Sequence, residues 1–129
     1  MTVSPDNSYI VTSSYGATRL WHSQTGQLLY TLIGNGWHCP VTISLDSKYI
    51  VTSSHKNKIN IWDSQTGQLL HTLPGHNINI TSIAISTDNK YIVTGDYVGK
   101  VKVWNTRYLF ATPTLSELLA FIKNKTDQQ

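Results

Sequence analysis

The sequence repeats itself every 41 to 42 residues, and a tandem period of that length constrains the fold more tightly than any single motif. SQTGQLL occupies residues 23–29 and again 64–70. YIVTSS occupies 9–14 and 49–54 and returns as YIVTGD at 91–96. Trp21, Trp62 and Trp104 keep the same beat, and Asp6, Asp46 and Asp88 precede the three YIVT strings at matching places. The 129 residues therefore hold about two and three-quarter units of a tandem array.

Each unit reads as four short strands. The second unit displays them most clearly, with strand a at 41–44, b at 49–53, c at 58–62 and d at 68–73. β-branched and aromatic residues fill these runs. Turn formers separate them: Pro5-Asp6-Asn7, Asp46-Ser47, Asp88-Asn89, Thr25-Gly26 and Thr66-Gly67. Four short antiparallel strands in about 41 residues match one blade of a β-propeller.

In the third unit Gly75-His76, Ser86-Thr87-Asp88-Asn89-Lys90 and Val101-Lys102-Val103-Trp104 follow in order, and the second unit adds Trp62-Asp63 followed by Thr66-Gly67. This ordered set resembles the WD-repeat propeller family over residues 3–106. The resemblance implies an all-β partial β-propeller of about three four-stranded antiparallel blades, the first truncated. It also implies a hydrogen-bonded tetrad of His, Ser/Thr, Asp and Trp within a blade. Carried over position by position, Trp21, Trp62 and Trp104 fill the Trp places, and Thr12, Thr52 and Thr94 the hydroxyl places. His76 fills the His place of the third unit, where the second has Asn35. The same alignment sets Lys56 and Val98 at the Asp places, so it expects no complete network in any blade.

Partners of this family dock where the d–a and b–c loops emerge. The positions that carry contacts are the start of strand a, two residues before it, and the residue preceding the turn Asp. By resemblance the partner-binding candidates are Trp37, Cys39 and His55 in the second unit, and Asn79, Thr81 and Tyr97 in the third. Trp37 stands apart from the repeating Trp series, beside Gly34-Asn35-Gly36. A large ring there would be partly exposed and would suit an interface anchor, with packing on the neighbouring blade as the alternative.

The remaining polar residues point to no chemistry. His38-Cys39 is too short for zinc, which takes three or four N/S ligands. His22, His55 and His71 fall at unrelated places in the repeat, in turns or exposed strand positions. Lys100 and Lys102, with Lys56 and Lys58 in the preceding unit, read as a solvated strand face rather than a phosphate-binding patch. No Ser–His–Asp arrangement and no Gly-rich phosphate loop stands out. The expectation is a non-enzyme that uses no metal and no cofactor.

Residues 1–6 line up with the tail of a strand a, so the first blade lacks most of its innermost strand. Beyond Trp104, residues 107–111 have room only for a short strand d. Thr114 and Glu117 then form a capping box, and Leu115, Leu118, Leu119 and Ile122 follow at helical spacing before a polar tail. The expected organisation is an array over 1–112, with blades at about 1–33, 34–74 and 75–112, then a short amphipathic C-terminal helix and tail over 113–129. Covering the outer edge of the last blade is the simplest place for the helical stripe. Docking into a second subunit is the alternative.

Composition narrows the function classes. Charged residues make up 13% of the chain, about half the usual share of roughly 25%. The net charge is +3, without a basic run, and no apolar run approaches the roughly 20 residues that span a bilayer. Nucleic-acid and membrane partners gain no support, one Cys excludes a disulfide framework, and a cytoplasmic location is the expectation. The expected function is a non-catalytic interaction scaffold presenting loop residues to a protein or peptide partner. The alternative is a piece of a larger propeller, completed by self-association or belonging to a split or truncated coding sequence. Three blades fall short of the 4–8 that typically close a ring.

Overall fold

The computed structural model describes residues 1–14, 17–33, 40–54 and 57–106, and all the regular structure among them is β. Strands β1 (Thr2–Val3), β2 (Tyr9–Ser14), β3 (Ala17–His22) and β4 (Leu28–Ile33) form a first sheet in that order. Strands β5 (Val41–Ile43), β6 (Tyr49–Ser53), β7 (Ile59–Asp63) and β8 (Leu69–Leu73) form a second. A third holds β9 (Ile80–Ile85), β10 (Tyr91–Asp96) and β11 (Val101–Asn105), and every paired neighbour is antiparallel. Three consecutive meanders in one chain are the architecture of a partial β-propeller. The strand expected at 107–111 and the helix and tail expected at 113–129 lie outside the described residues.

The a–b turns explain why a Ser-x-Asp pattern recurs. Ser4, Ser44 and Ser86 each donate a hydroxyl to the Asp two residues on, at 2.7, 2.6 and 2.6 Å. The same serine oxygens accept the N–H of Tyr9, Tyr49 and Tyr91, which start the next strands. Each Asp oxygen in turn accepts the N–H of Ser8, Lys48 or Lys90. The residue after each Asp is left-handed, at φ 62° for Asn7, 63° for Ser47 and 59° for Asn89. Asn tolerates that conformation through its short polar side chain.

Ser47 is held there by contacts across the first two sheets. Its Oγ accepts the Asp6 N–H at 3.0 Å, and its carbonyl accepts the Tyr9 hydroxyl at 2.8 Å and the Ser64 hydroxyl at 2.7 Å. Asn89 makes the corresponding tie from the third sheet, its Oδ1 accepting the Leu45 N–H at 3.1 Å.

Apolar side chains lie in two layers between the sheets. Tyr9, Val11, Leu20 and Leu32 from the first sheet meet Ile50 and Trp62 from the second. Val51, Ile59 and Ile61, from the opposite face of the second sheet, meet Ile80 and Ile92 from the third. The alternation of strand side chains makes this possible, since successive residues point to opposite faces. The middle sheet is therefore buried on both faces along β6 and β7.

The turn carboxylates give a pH prediction with a definite sign. Hydrogen bonds from Ser8 and Ser4 hold Asp6 down at about 2, and bonds from Ser86 and the Lys90 N–H lower Asp88. In the unfolded chain these groups protonate near the ordinary Asp value of about 3.9. The unfolded state thus takes up protons first on acidification, and stability present above pH ~4 is lost toward pH ~2. Urea midpoints are expected to be flat from neutral pH down to about 5 and to fall below 4. Asp6→Asn is expected to shallow that acid limb, and an unchanged limb would count against the Asp6 turn.

Candidate partner-binding surface

One end of the third sheet gathers an organised set of loop residues. β10 ends at Asp96, and the chain turns through Tyr97, Val98 and Gly99 into β11. Asp96 Oδ1 accepts the N–H of Val98 at 3.1 Å and of Lys100 at 2.9 Å, while Gly99 takes φ 87°. The other carboxylate oxygen, Oδ2, meets His76 Nδ1 at 2.9 Å. His76 Nε2 lies 2.7 Å from Thr94 Oγ1, which also accepts the Trp104 indole N–H at 3.3 Å.

An ionised carboxylate only accepts, so His76 Nδ1 donates to Asp96, while Nε2 shares a hydrogen bond with the Thr94 hydroxyl. Thr94 in turn receives the indole proton. His76, Thr94 and Asp96 are all buried, and the chain Trp104–Thr94–His76–Asp96 satisfies each of them. Burial pushes the Asp96 carboxyl up, but the bonds from His76, Lys100 N–H and Val98 N–H outweigh it and hold it below its ordinary value.

The third sheet therefore has the complete network that the sequence alignment did not expect. Asp96, two residues before the Asp place that the alignment sets at Val98, supplies the carboxylate, and the Val98 side chain is exposed. By repeat position Ser54 and Ser14 stand where Asp96 does, and Lys56 lies outside the described residues. Ser54 reproduces one of the carboxylate's roles, its Oγ accepting the Lys58 N–H at 3.3 Å. The indole-to-hydroxyl link recurs in every sheet, Trp21 to Thr12 at 2.9 Å and Trp62 to Thr52 at 3.0 Å. The signal for Asp96 was present in the register: YIVTGD ends on Asp where YIVTSS ends on Ser.

Above this network Tyr97 is 78% exposed and Val98 71%. The Tyr97 N–H bonds the carbonyl of Asn79 at 3.0 Å, and the Thr81 hydroxyl reaches Gly95 O at 3.4 Å. The fold thus brings Asn79, Thr81 and Tyr97 together at one loop end of the third sheet. Tyr97 follows the network Asp by one residue rather than preceding it. Trp37, Cys39 and His55 lie outside the described residues, as does Asn35.

One further reading needs correction. Lys102 does not lie on a solvated face: it is half-buried, donates its Nζ to Gly75 O at 2.7 Å, and sits 5.9 Å from the Trp104 ring centroid. His22 is a working turn residue whose Nδ1 accepts the N–H of Gln24 and Thr25, as Asp63 Oδ1 does for Gln65 and Thr66. Sequence reasoning also passed over Ser23, Ser64 and Thr106. Their hydroxyls cap the carbonyls of Asn7, Ser47 and Asn89, and a hydroxyl two residues after each periodic Trp was the available signal.

At the opposite end of the sheets a groove of about 560 Å³ opens between the first and second, lined by residues that include Asp6, His22, Tyr30, Asp46 and Lys48. Its polar groups mostly serve the turns described above. Among the described residues no three His, Cys, Asp or Glu side chains converge as a metal site would require.

The repeating geometry has a counterpart among known families. The model of the WD domain, G-beta repeat, matches residues 26–63 and 67–105, more than half of the chain. The chain belongs to the WD-repeat family. Each matched WD repeat starts just before the outer strand of one sheet and ends on the third strand of the next, so one repeat links two blades. WD repeats generally serve as scaffolds for protein–protein interaction and are typically non-catalytic. Comparison with curated proteins gives no significant match.

Proposed function

We propose that this WD-repeat chain is a non-catalytic interaction module that presents the Tyr97 turn, flanked by Asn79 and Thr81, to a protein or peptide partner. The observation that carries the reading is the pairing of a 78% exposed tyrosine with a turn fixed by the Asp96 carboxylate and the buried His76. A rigid aromatic contributes contact area with little conformational entropy to lose on binding. Asn79 and Thr81 add polar groups beside it.

The test compares proximity labelling by the intact chain with that by a Tyr97→Ala variant in cells. The variant is expected to keep its stability to within about 0.5 kcal/mol, as exposed substitutions do, and to lose the neighbours seen with the intact chain. Recovery of the same neighbours by both proteins would overturn the reading.

A further inference from the structure

Among the described residues, the first and third sheets expose opposite halves of an interface that the molecule uses twice. Between the first and second sheets, one face (Tyr9, Val11, Leu20) meets the other kind of face (Ile50, Trp62, Ile43). Between the second and third sheets the equivalent residues meet again: Val51 and Ile61 against Ile92, Trp104 and Ile85. The third sheet carries the first kind of face once more, with no other described sheet packed on it. Val103 pairs with Val93, and Val101 with Gly95, so they share that face with Tyr91, which pairs with Asn105.

Exposure makes the contrast quantitative. Val101 and Val103 are each 62% exposed, whereas the residues at their places in the second sheet, Ile59 and Ile61, are fully buried. The first sheet leaves the second kind of face free. Val3 pairs with Ile10 and shares that face with Trp21; Val3 is 51% exposed where its equivalents Ile43 and Ile85 are half-buried, and Ile10 is half-buried where Ile50 and Ile92 are fully buried.

We propose that a second copy of this chain covers both free faces, the third sheet of each copy packing on the first sheet of the other. The contact continues the series already made twice inside the chain, so its shape and chemistry are those of an established interface. It is head-to-tail, and such contacts give rings when the rotation closes. The three described sheets of each copy would make six together, within the 4–8 blades of closed propellers. The proposal does not depend on the Tyr97 turn, which lies at a loop end and not on either face.

Light scattering coupled to gel filtration over a range of protein concentrations tests this. A species of twice the 14.5 kDa chain mass is expected. Val103→Asp and Val3→Asp each place a carboxylate in the contact and are expected to raise the dimer dissociation constant about a hundredfold or more. Both positions are exposed in the single copy, so each variant remains folded. Mixing the two variants restores one intact contact and is expected to recover dimer, while Tyr97→Ala leaves the dimer unchanged. A monomer at all concentrations overturns the proposal, as happens if residues 107–129 cover the third sheet instead. An open ladder of larger species, or a dimer insensitive to both Asp variants, overturns it equally.

Discussion

Gly75→Ala is expected to cost about 2–4 kcal/mol and to lower Tm by roughly 10 °C, a larger loss than at any other described glycine. A Cβ built on Gly75 would overlap the carbonyl oxygen of Asn57 and lie 2.9 Å from its carbon. Those atoms are backbone, in the turn between β6 and β7, and cannot rotate away. The next residue anchors there, since the His76 N–H bonds that same carbonyl at 2.9 Å. Pushing the two segments apart therefore weakens the His76–Asn57 bond and displaces the ring that links Thr94 to Asp96. Lys102, which bonds the Gly75 carbonyl, is disturbed as well. Gly95→Ala is the control: its Cβ would meet only the Ser82 hydroxyl at 2.9 Å, a side chain able to turn aside. Urea denaturation of both variants distinguishes them, and equal losses would count against the Asn57 contact as the reason for glycine at position 75.

Ile61→Ala is expected to cost about 3–5 kcal/mol, while Val103→Ala, at the same place in the repeat, costs within about 0.5 in dilute protein. Ile61 is fully buried between the second and third sheets; Val103 is 62% exposed. Chemical denaturation at low concentration measures the difference directly. Similar losses at the two sites would mean that the third sheet is covered in the single chain. A cost at Val103 that rises with protein concentration is expected from the head-to-tail dimer, because association buries that side chain.

These two comparisons mark the boundary of what sequence reading reached. The b strands fall where YIVT predicts them: Tyr9–Ser14, Tyr49–Ser53 and Tyr91–Asp96. Strands are local, and alternating β-branched runs between turn formers fix them without distant partners. The tetrad was half legible. Repeat position identifies Trp104, Thr94 and His76, whereas Asp96 lies outside the Asp place and joins the network only because the fold sets its carboxylate 2.9 Å from the imidazole. Lys102 was misplaced for a related reason. Its distant partner, Gly75 O, enters the site only when the loop after β8 folds across it.

The repeat by itself determined the strands, the turns and their order, because each rests on a few neighbouring residues and their backbone preferences. It also determined that the blades are alike. Tertiary structure decided which of the like positions are buried. Ile61 and Val103 hold equivalent places and similar side chains, yet one is enclosed by a third sheet and the other faces outward. Burial belongs to the neighbour and not to the residue, so only stacking the sheets distinguishes an interior interface from a free one.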